Sequence, residues 1–152
     1  MSEIAYLKSM ETMFMALADK TRLRLLNLMA SEEVCVCFFT EVLGDSQPKI
    51  SRHLAYLRNA DLVEARRDGK WMHYSIKWPE DEGLRSVLRS TLTALADDPE
   101  MQQDKAKYTN VCCTPELLVQ IARTPIDFIS VQPDIMETRR PVAHNELDEF
   151  LL

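Results

Sequence analysis

Two helices joined by a tight turn are predicted for residues 38–59, which read FFTEVLGDSQPKISRHLAYLRN. Apolar residues fall at helical spacing before Gly44, and glycine readily adopts the left-handed conformation that ends a helix. Ser46 is a suitable N-cap for the next helix, and Pro48 stands near its start, where a missing N–H costs least. The apolar residues of that helix share one side and leave a polar, basic side exposed. This pattern predicts a helix-turn-helix.

A β-hairpin is predicted directly after these two helices. Residues 62–67 and 70–76 are rich in β-forming residues, and they are joined by Asp68-Gly69, the dipeptide of a tight hairpin turn. The tip of the hairpin is basic, and a hairpin that follows a recognition helix is a wing. The predicted fold class is therefore mainly α within α+β, a winged helix-turn-helix with a β-hairpin wing.

Further helices are predicted on both sides of this unit, at residues 3–17, after an N-cap at Asp19, and at about 81–97. The apolar stripes of the first and last of them would suit either a dimer interface or ordinary core packing. The chain then divides into a winged helix-turn-helix DNA-binding and dimerisation domain at residues 1–98, a polar linker at 99–113, and an extension at 114–152 that is partly helical and then irregular.

The charge is unevenly distributed along the chain. The whole sequence carries a formal net charge of −6, whereas residues 46–77 hold seven basic and three acidic residues. Such a basic island suits a compact element that binds a DNA duplex, although a solvated basic face would leave the same pattern. No apolar run approaches the ~18 residues that a membrane span needs, so no membrane contact and a cytoplasmic location are expected.

The four cysteines, Cys35, Cys37, Cys112 and Cys113, are expected to be reduced and available for thiol chemistry in that compartment. Thiolates are soft ligands that suit thiophilic ions, although isolated cysteines also serve as small buried hydrophobes. At ~100° per residue, Cys35 and Cys37 would point to nearly opposite sides of an ideal helix. They can bind one atom together only if this segment is extended or its first helical turn is distorted.

An enzyme is not expected. The three glycines cannot form a Gly-rich phosphate-binding loop. A Cys-x5-Arg phosphate loop would need arginine at positions that hold Glu41, Leu43, Leu118 and Val119. The sequence also lacks a Cys-x-x-Cys pair and a histidine obviously paired with a cysteine.

Several stretches resemble one family in the correct order. Residues 16–26, ALADKTRLRLL, resemble the second-helix signature of the ArsR/SmtB repressors, which are metal- and metalloid-responsive winged-helix proteins. Residues 33–37, EVCVC, resemble the Cys-Val-Cys metalloid box of the arsenical-resistance repressors. Residues 46–54, SQPKISRHL, and 69–74, GKWMHY, resemble their recognition helix and wing. The resemblance covers about residues 9–98.

This resemblance implies a homodimer, closed through the terminal helices, that occupies double-stranded operator DNA until an inducer binds. Gln47 and Ser51 are able to read base edges, while the basic residues mostly neutralise phosphates. For His53, a packed histidine is the alternative to a DNA contact. The residues expected to face DNA are Gln47, Lys49, Ser51, Arg52 and His53 on the helix, and Arg66, Arg67 and Lys70 on the wing.

The resemblance also implies an inducer site for trivalent arsenic or antimony, with no obligatory cofactor. The arsenical repressors bind the metalloid with three sulfurs, from the box and from one more cysteine three residues on. Here that position is Thr40, and a hydroxyl is a poor soft ligand. The missing sulfur is therefore expected from Cys112 or Cys113, within one subunit or across the dimer.

Other inducers fit the same four thiols. A two-thiol site would suit methylated trivalent arsenic, which has fewer positions to fill. Four thiolates would suit cadmium, lead or zinc, and the thiols could instead oxidise as a redox or persulfide switch. The family's zinc site on the last core helix should be absent, because no histidine lies between His73 and His144.

Overall fold

The protein is described by a computed structural model over residues 3–113. The predicted extension at residues 114–152 lies outside the described residues. Within the described part, the elements in chain order are α1 (Glu3–Leu17), α2 (Lys20–Met29), β1 (Val34–Cys35), α3 (Val36–Leu43), α4 (Gln47–Asn59), β2 (Val63–Asp68), β3 (Trp71–Ile76), α5 (Glu82–Ala96) and α6 (Pro99–Cys113).

Four of these helices, α2, α4, α5 and α6, begin at a side chain that caps them, which for α6 is Asp98. Asp19 accepts a hydrogen bond from the backbone N–H of Arg22 at 2.9 Å, which satisfies a donor that the first turn of α2 leaves free. Ser46 caps α4 and Asp81 caps α5 in the same way. Helix α3 ends at Gly44, which has a φ of 73°. The predicted end of the first helix at Gly44 and the predicted start of the second at Ser46 are therefore confirmed, whereas the first helix begins earlier than predicted, at Val36.

The hairpin of β2 and β3 is the predicted wing, and a third strand joins it. The sheet order is β1-β3-β2, with both pairs antiparallel. Val34 of β1 lies opposite Tyr74, and Cys35 lies opposite His73. The tight turn of the hairpin is made at Gly69, where φ is 60°. The first thiol is thus part of the same sheet as the wing.

The core lies between α2, α3, α4 and the sheet. Arg22 is buried within it at 3% exposure, and its Nε donates to the carbonyl oxygen of Ala16 at 2.8 Å. Its guanidinium lies 4.0 Å from the ring centroid of Tyr56, so one cation ties α2 to α4. The largest fully buried side chains are Tyr74, Phe39, Leu25, Leu26, Ile50, Leu54, Leu57, Leu62 and Leu88.

Residues 99–113, predicted to be a polar linker, form helix α6 instead. Met101, Asp104 and Val111 of this helix are buried, and Tyr108 is partly buried. These four positions recur at the helical spacing of three and four residues, so they share one side of α6. Because one of the four is an aspartate, the stripe is not recognisable as apolar in the sequence. Helix α6 packs on α2 and α3 through this side.

Helix α1 forms as predicted but leaves apolar side chains on its outer side. Ile4, Leu7 and Phe14 are exposed, whereas Leu84 and Leu88 of α5 are buried in the core. In the part of the chain from residue 3 to residue 113, none of the helices has both the length and the apolar character needed to span a membrane.

Candidate functional site

Two thiols lie together where β1 passes into α3. Cys35 ends β1 and is the N-cap of α3, and Cys37 belongs to the first turn of that helix. Their Sγ atoms are 3.0 Å apart. The backbone of Cys35 is extended, with φ −68° and ψ 138°, and this turns its side chain toward Cys37. The extended conformation that joint binding of one atom requires is therefore present.

A hydrogen bond joins the two thiols. A hydrogen bond from the Cys37 thiol, aided by the backbone N–H groups of Cys37 and Val36, lowers the pKa of Cys35 to about 7 against the effect of burial. The same hydrogen bond and burial raise the pKa of Cys37. A helix N-terminus favours a thiolate for the same reason that it favours any anion. The start of α3 therefore favours a thiolate at Cys35.

Thr40 occupies the position where the arsenical repressors have their third cysteine. Its hydroxyl donates to the carbonyl oxygen of Cys37 at 2.9 Å, so it is bound to the backbone of its own helix. The structure offers no reason to count this oxygen as a ligand for a thiophilic ion.

Helix α6 brings Cys112 to the side of the molecule where α3 lies. The rings of Phe38 on α3 and Tyr108 on α6 meet edge to face, with centroids 5.6 Å apart. Burial, together with hydrogen bonds to Cys112 and Glu32, raises the pKa of Tyr108. Cys112 follows Tyr108 by four residues and so lies on the same side of α6. Its thiol is half-buried and reduced.

The four predicted thiol ligands are only partly assembled. Cys35 and Cys37 are in contact, and Cys112 lies on the α6 side that faces α3. Among residues 3–113, no three His, Cys, Asp or Glu side chains are close enough to hold a metal ion. The side chain of Cys113 lies outside what the structure describes.

The residues predicted to face DNA from α4 fall into two groups. Arg52 is exposed, and Gln47 and Lys49 are partly exposed at the start of the helix. Ser51 and His53 are buried, at 7% and 9% exposure. The expected outward position of these two residues is therefore not seen, because they belong to the side of α4 that packs on the core.

His53 has partners inside the protein. Its Nδ1 lies 3.4 Å from a guanidinium nitrogen of Arg22 and 3.6 Å from a carboxylate oxygen of Asp19. Burial is the main cause that lowers its pKa, so the neutral imidazole is favoured. His53 is therefore a packed histidine, which was the alternative to a DNA contact in the sequence analysis.

The predicted wing residues, Arg66, Arg67 and Lys70, are exposed. Arg67 donates to the carbonyl oxygen of Gly69 at 3.2 Å, and the Lys70 ammonium lies 5.2 Å from the ring centroid of Trp71. All three cations therefore stand at the exposed surface of the hairpin.

Arg66 has a partner that the sequence did not indicate. Its Nε and Nη2 both donate to the carboxylate of Glu33, which precedes β1, and Glu33 also lies 3.7 Å from His73. The strand register puts Cys35 opposite His73 and His73 opposite Arg66, in one row across the sheet. The thiol pair and the wing are thus adjacent in the fold, although about 30 residues separate them in the sequence.

Comparison with known proteins gives consistent matches. The family described as "Bacterial regulatory protein, arsR family" matches residues 19–65. The "Arsenic resistance transcriptional regulator ArsR2" of Pseudomonas putida is 39% identical over 108 residues, which cover 66% of this chain and 94% of that protein. ArsR1 of the same organism is 44% identical over 82 residues, 53% of this chain and 64% of that protein.

A solved structure matches as well. It is the solution NMR structure of a homodimeric winged helix-turn-helix DNA-binding domain from Mycobacterium bovis, with 29% sequence identity and a TM-score of 0.52. The match covers 64% of this chain and 88% of that domain. Helices α2 to α4 with the wing therefore define a winged helix-turn-helix protein, as the sequence predicted. The chain belongs to the ArsR family of bacterial regulatory proteins.

Proposed function

We propose that this protein is a DNA-binding transcriptional repressor that leaves its operator when trivalent arsenic or antimony binds its cysteine thiolates. The observation that carries the proposal is the thiol pair itself, with two Sγ atoms 3.0 Å apart at the first turn of a helix-turn-helix. The names of two relatives, both arsenic resistance transcriptional regulators, agree with it.

The proposed DNA surface is the exposed side of α4 together with the wing. Gln47 suits a base edge in the major groove, and the cations suit phosphates. Ser51 and His53 are left out of this surface because they are buried. The proposed contacts are Gln47, Lys49 and Arg52 on α4, and Arg66, Arg67 and Lys70 on the wing.

The proposed assembly is a homodimer. Exposed Ile4, Leu7 and Phe14 give α1 an apolar outer side, which a second subunit would remove from water. The matched domain from Mycobacterium bovis is homodimeric. A two-fold dimer would present two copies of α4 to two half-sites of double-stranded operator DNA.

The proposed inducer site contains Cys35 and Cys37, with Cys112 or Cys113 as the source of a third sulfur. Arsenite, As(OH)3, exchanges its three hydroxyl groups for three thiolates, and the thiol protons leave with those hydroxyls as three waters. Trivalent arsenic is a soft acceptor, so sulfur is preferred over the Thr40 oxygen. A methylated trivalent arsenic would need only two of these thiols.

Release of DNA requires that the inducer prefers the DNA-free conformation, because a ligand of equal affinity for both states shifts neither. The start of α3 is a suitable place to create that preference. A ligand between Cys35 and Cys37 changes the backbone at the first turn of α3, and only the turn at residues 44–46 separates α3 from α4. A tilt of α3 therefore changes how α4 meets the groove.

A second candidate uses the same thiols as an oxidation switch. The short Sγ–Sγ distance would favour a disulfide between Cys35 and Cys37 when hydrogen peroxide accepts two electrons and the two thiol protons, and its two oxygens leave as two waters. Cadmium, lead or zinc would instead need thiolates from both cysteine pairs, Cys35 with Cys37 and Cys112 with Cys113.

The test is fluorescence anisotropy of the reduced protein on a labelled fragment of its own promoter, titrated with arsenite, with cadmium and peroxide as parallel challenges. Release by arsenite alone is expected. Release only by cadmium would favour a site for cadmium, lead or zinc, and release only by peroxide would favour the oxidation switch. Failure to bind the fragment at all would contradict autoregulation and leave the fold unaffected.

A further inference from the structure

An ion pair between a half-buried arginine and a buried aspartate joins α6 to α2 at a distance from the thiols. The Nε and Nη2 atoms of Arg24 donate to the two carboxylate oxygens of Asp104 at 2.7 and 2.9 Å. Asp104 is 1% exposed, so its charge is removed from water. In the same interface, the buried amide of Asn27 donates to the carbonyl oxygen of Met101 at 3.2 Å.

Stability alone does not explain such a pair. The buried Asp104 carboxylate loses its hydration and the Arg24 guanidinium loses part of its own, and well-packed apolar residues at such positions often stabilise a protein as much or more. A two-pronged contact between a guanidinium and a carboxylate has a fixed geometry, however, and it is lost if either helix slides or rotates. The pair between Arg24 and Asp104 therefore fixes the register of α6 on α2.

That register determines where the end of α6 lies. Asp104, Tyr108 and Cys112 are four residues apart and share one side of the helix. With Asp104 held on α2, Tyr108 meets Phe38 of α3, and Cys112 follows one turn later, about 12 Å along the helix from Asp104. Tyr108 and Cys112 are also joined by a hydrogen bond.

We propose that Arg24 and Asp104 are positioning residues, which hold α6 so that Cys112 supplies the third thiolate to Cys35 and Cys37 of the same subunit. This rests on the proposed function as a metalloid sensor. Arsenite would form three As–S bonds and release three waters, and the last turn of α6 would close on α3 as the third bond forms. Each subunit then builds a complete site from its own chain.

The test compares arsenite affinity in the full-length reduced protein, measured from the ultraviolet absorption of As–S bonds. The double variant Arg24→Met/Asp104→Leu replaces the pair with apolar side chains and keeps the interface filled. Its affinity should fall roughly ten- to a hundredfold, as when an outer-shell partner of a metal ligand is removed. Cys112→Ser should weaken arsenite binding to a similar extent. The triple variant, which combines Arg24→Met, Asp104→Leu and Cys112→Ser, should bind arsenite no more weakly than Cys112→Ser alone.

Two controls separate positioning from folding. Operator affinity without arsenite should stay within about twofold in the double variant, since the DNA surface is on α4 and the wing. Lys20→Gln removes the exposed ion pair that Lys20 makes with Glu100 between the same two helices, and it should leave arsenite affinity unchanged. Wild-type arsenite affinity in Arg24→Met/Asp104→Leu, or an additional loss in the triple variant, would overturn the positioning role.

The origin of the third thiol has its own test. Mixed dimers are prepared from a Cys35→Ser/Cys37→Ser subunit and a Cys112→Ser/Cys113→Ser subunit. A site within one subunit predicts no complete three-thiolate site in this dimer, whereas one tight site per dimer would show that the third thiol crosses the interface. If the wild-type protein itself fails to bind arsenite, the proposed function fails, and the positioning role fails with it.

Discussion

The first turns of α3 and α4 belong to one helix-turn-helix and are held in different ways. The Ser46 hydroxyl accepts a hydrogen bond from the backbone N–H of Lys49 and caps α4. Within the described part of the chain, Cys35 at the start of α3 makes no capping hydrogen bond through its side chain, and the N–H groups there face a pair of thiols. The helix that we propose to meet DNA begins at a polar cap, whereas the helix before it begins at the two thiols proposed to bind the inducer.

Removing sulfur from the start of α3 should have the largest effect. In Cys35→Ser, arsenite should no longer release the operator, because a hydroxyl replaces a soft ligand, while affinity for the operator without arsenite stays within about twofold. Anisotropy titrations with and without arsenite measure both quantities. Thr40→Val is the matched control and should keep its response. Loss of operator binding in Cys35→Ser without inducer would contradict the sensing role.

Removing the hydrogen bond between the two thiols should change the pH at which Cys35 reacts. Cys37→Ala removes the thiol that stabilises the Cys35 thiolate, so the pKa of Cys35 should rise from about 7 toward its ordinary value of 9.0 or above. Because only the thiolate is alkylated, the rate rises with pH through this pKa, and the midpoint should move to higher pH.

The measurement is iodoacetamide labelling over a pH series, with the modified Cys35 peptide quantified by mass spectrometry. The Cys112 peptide in the same samples is the internal control, and its midpoint should be the same in both proteins. If the midpoint of the Cys35 labelling rate against pH is unchanged in Cys37→Ala, the Cys37 thiol does not stabilise the Cys35 thiolate.

Substitutions at the N-cap residues of α4 and α3 should have a smaller effect, and this effect is on the free energy of unfolding. Ser46→Ala should lower the free energy of unfolding by about 0.5–1 kcal/mol, toward the low end because the capping bond is 3.4 Å long. Cys35→Ser should leave stability equal or raise it by up to about 1 kcal/mol, because serine is a better N-cap than cysteine. Urea unfolding of both variants tests the contrast, and equal destabilisation by the two would refute it.

The smallest effect is expected at the contact between Glu33, which directly precedes β1, and Arg66 of the wing. Glu33→Gln removes the carboxylate that neutralises Arg66, so operator affinity should rise about two- to threefold. Glu64→Gln removes the same charge from the wing itself and controls for the general loss of repulsion. Anisotropy at one fixed salt concentration compares the two variants, and an equal gain would remove any special role for Glu33.

The elements that the sequence predicted well carry local signals. The cap at Asp19, the left-handed Gly44 and the Asp-Gly turn of the wing each depend on a few neighbouring residues, and all were correctly placed. The sequence could say only that Cys35 and Cys37 would come together if their segment were extended or its first helical turn distorted. Whether it is extended depends on the backbone conformation at one residue, Cys35. Their extended junction comes from pairing with β3, which no short-range pattern reveals.

The features that the sequence did not predict depend on distant contacts. Strand β1 has only two residues and exists because His73 and Tyr74 lie beside it. Helix α6 carries Asp104 at a core position, and its burial requires Arg24, which is 80 residues away. The side on which His53 lies could not be read from helical spacing, since a histidine suits either a groove or a packed site.

The proposed inducer site at Cys35 and Cys37 is tested most directly by arsenic K-edge X-ray absorption of the arsenite complex, recorded for the wild-type protein and for Cys35→Ser/Cys37→Ser. The wild-type complex should show arsenic bound by sulfur in a three-coordinate shell, and the double variant should lose that shell. Arsenic that keeps the same sulfur shell after both thiols at the start of α3 are removed would contradict the assignment of the inducer site.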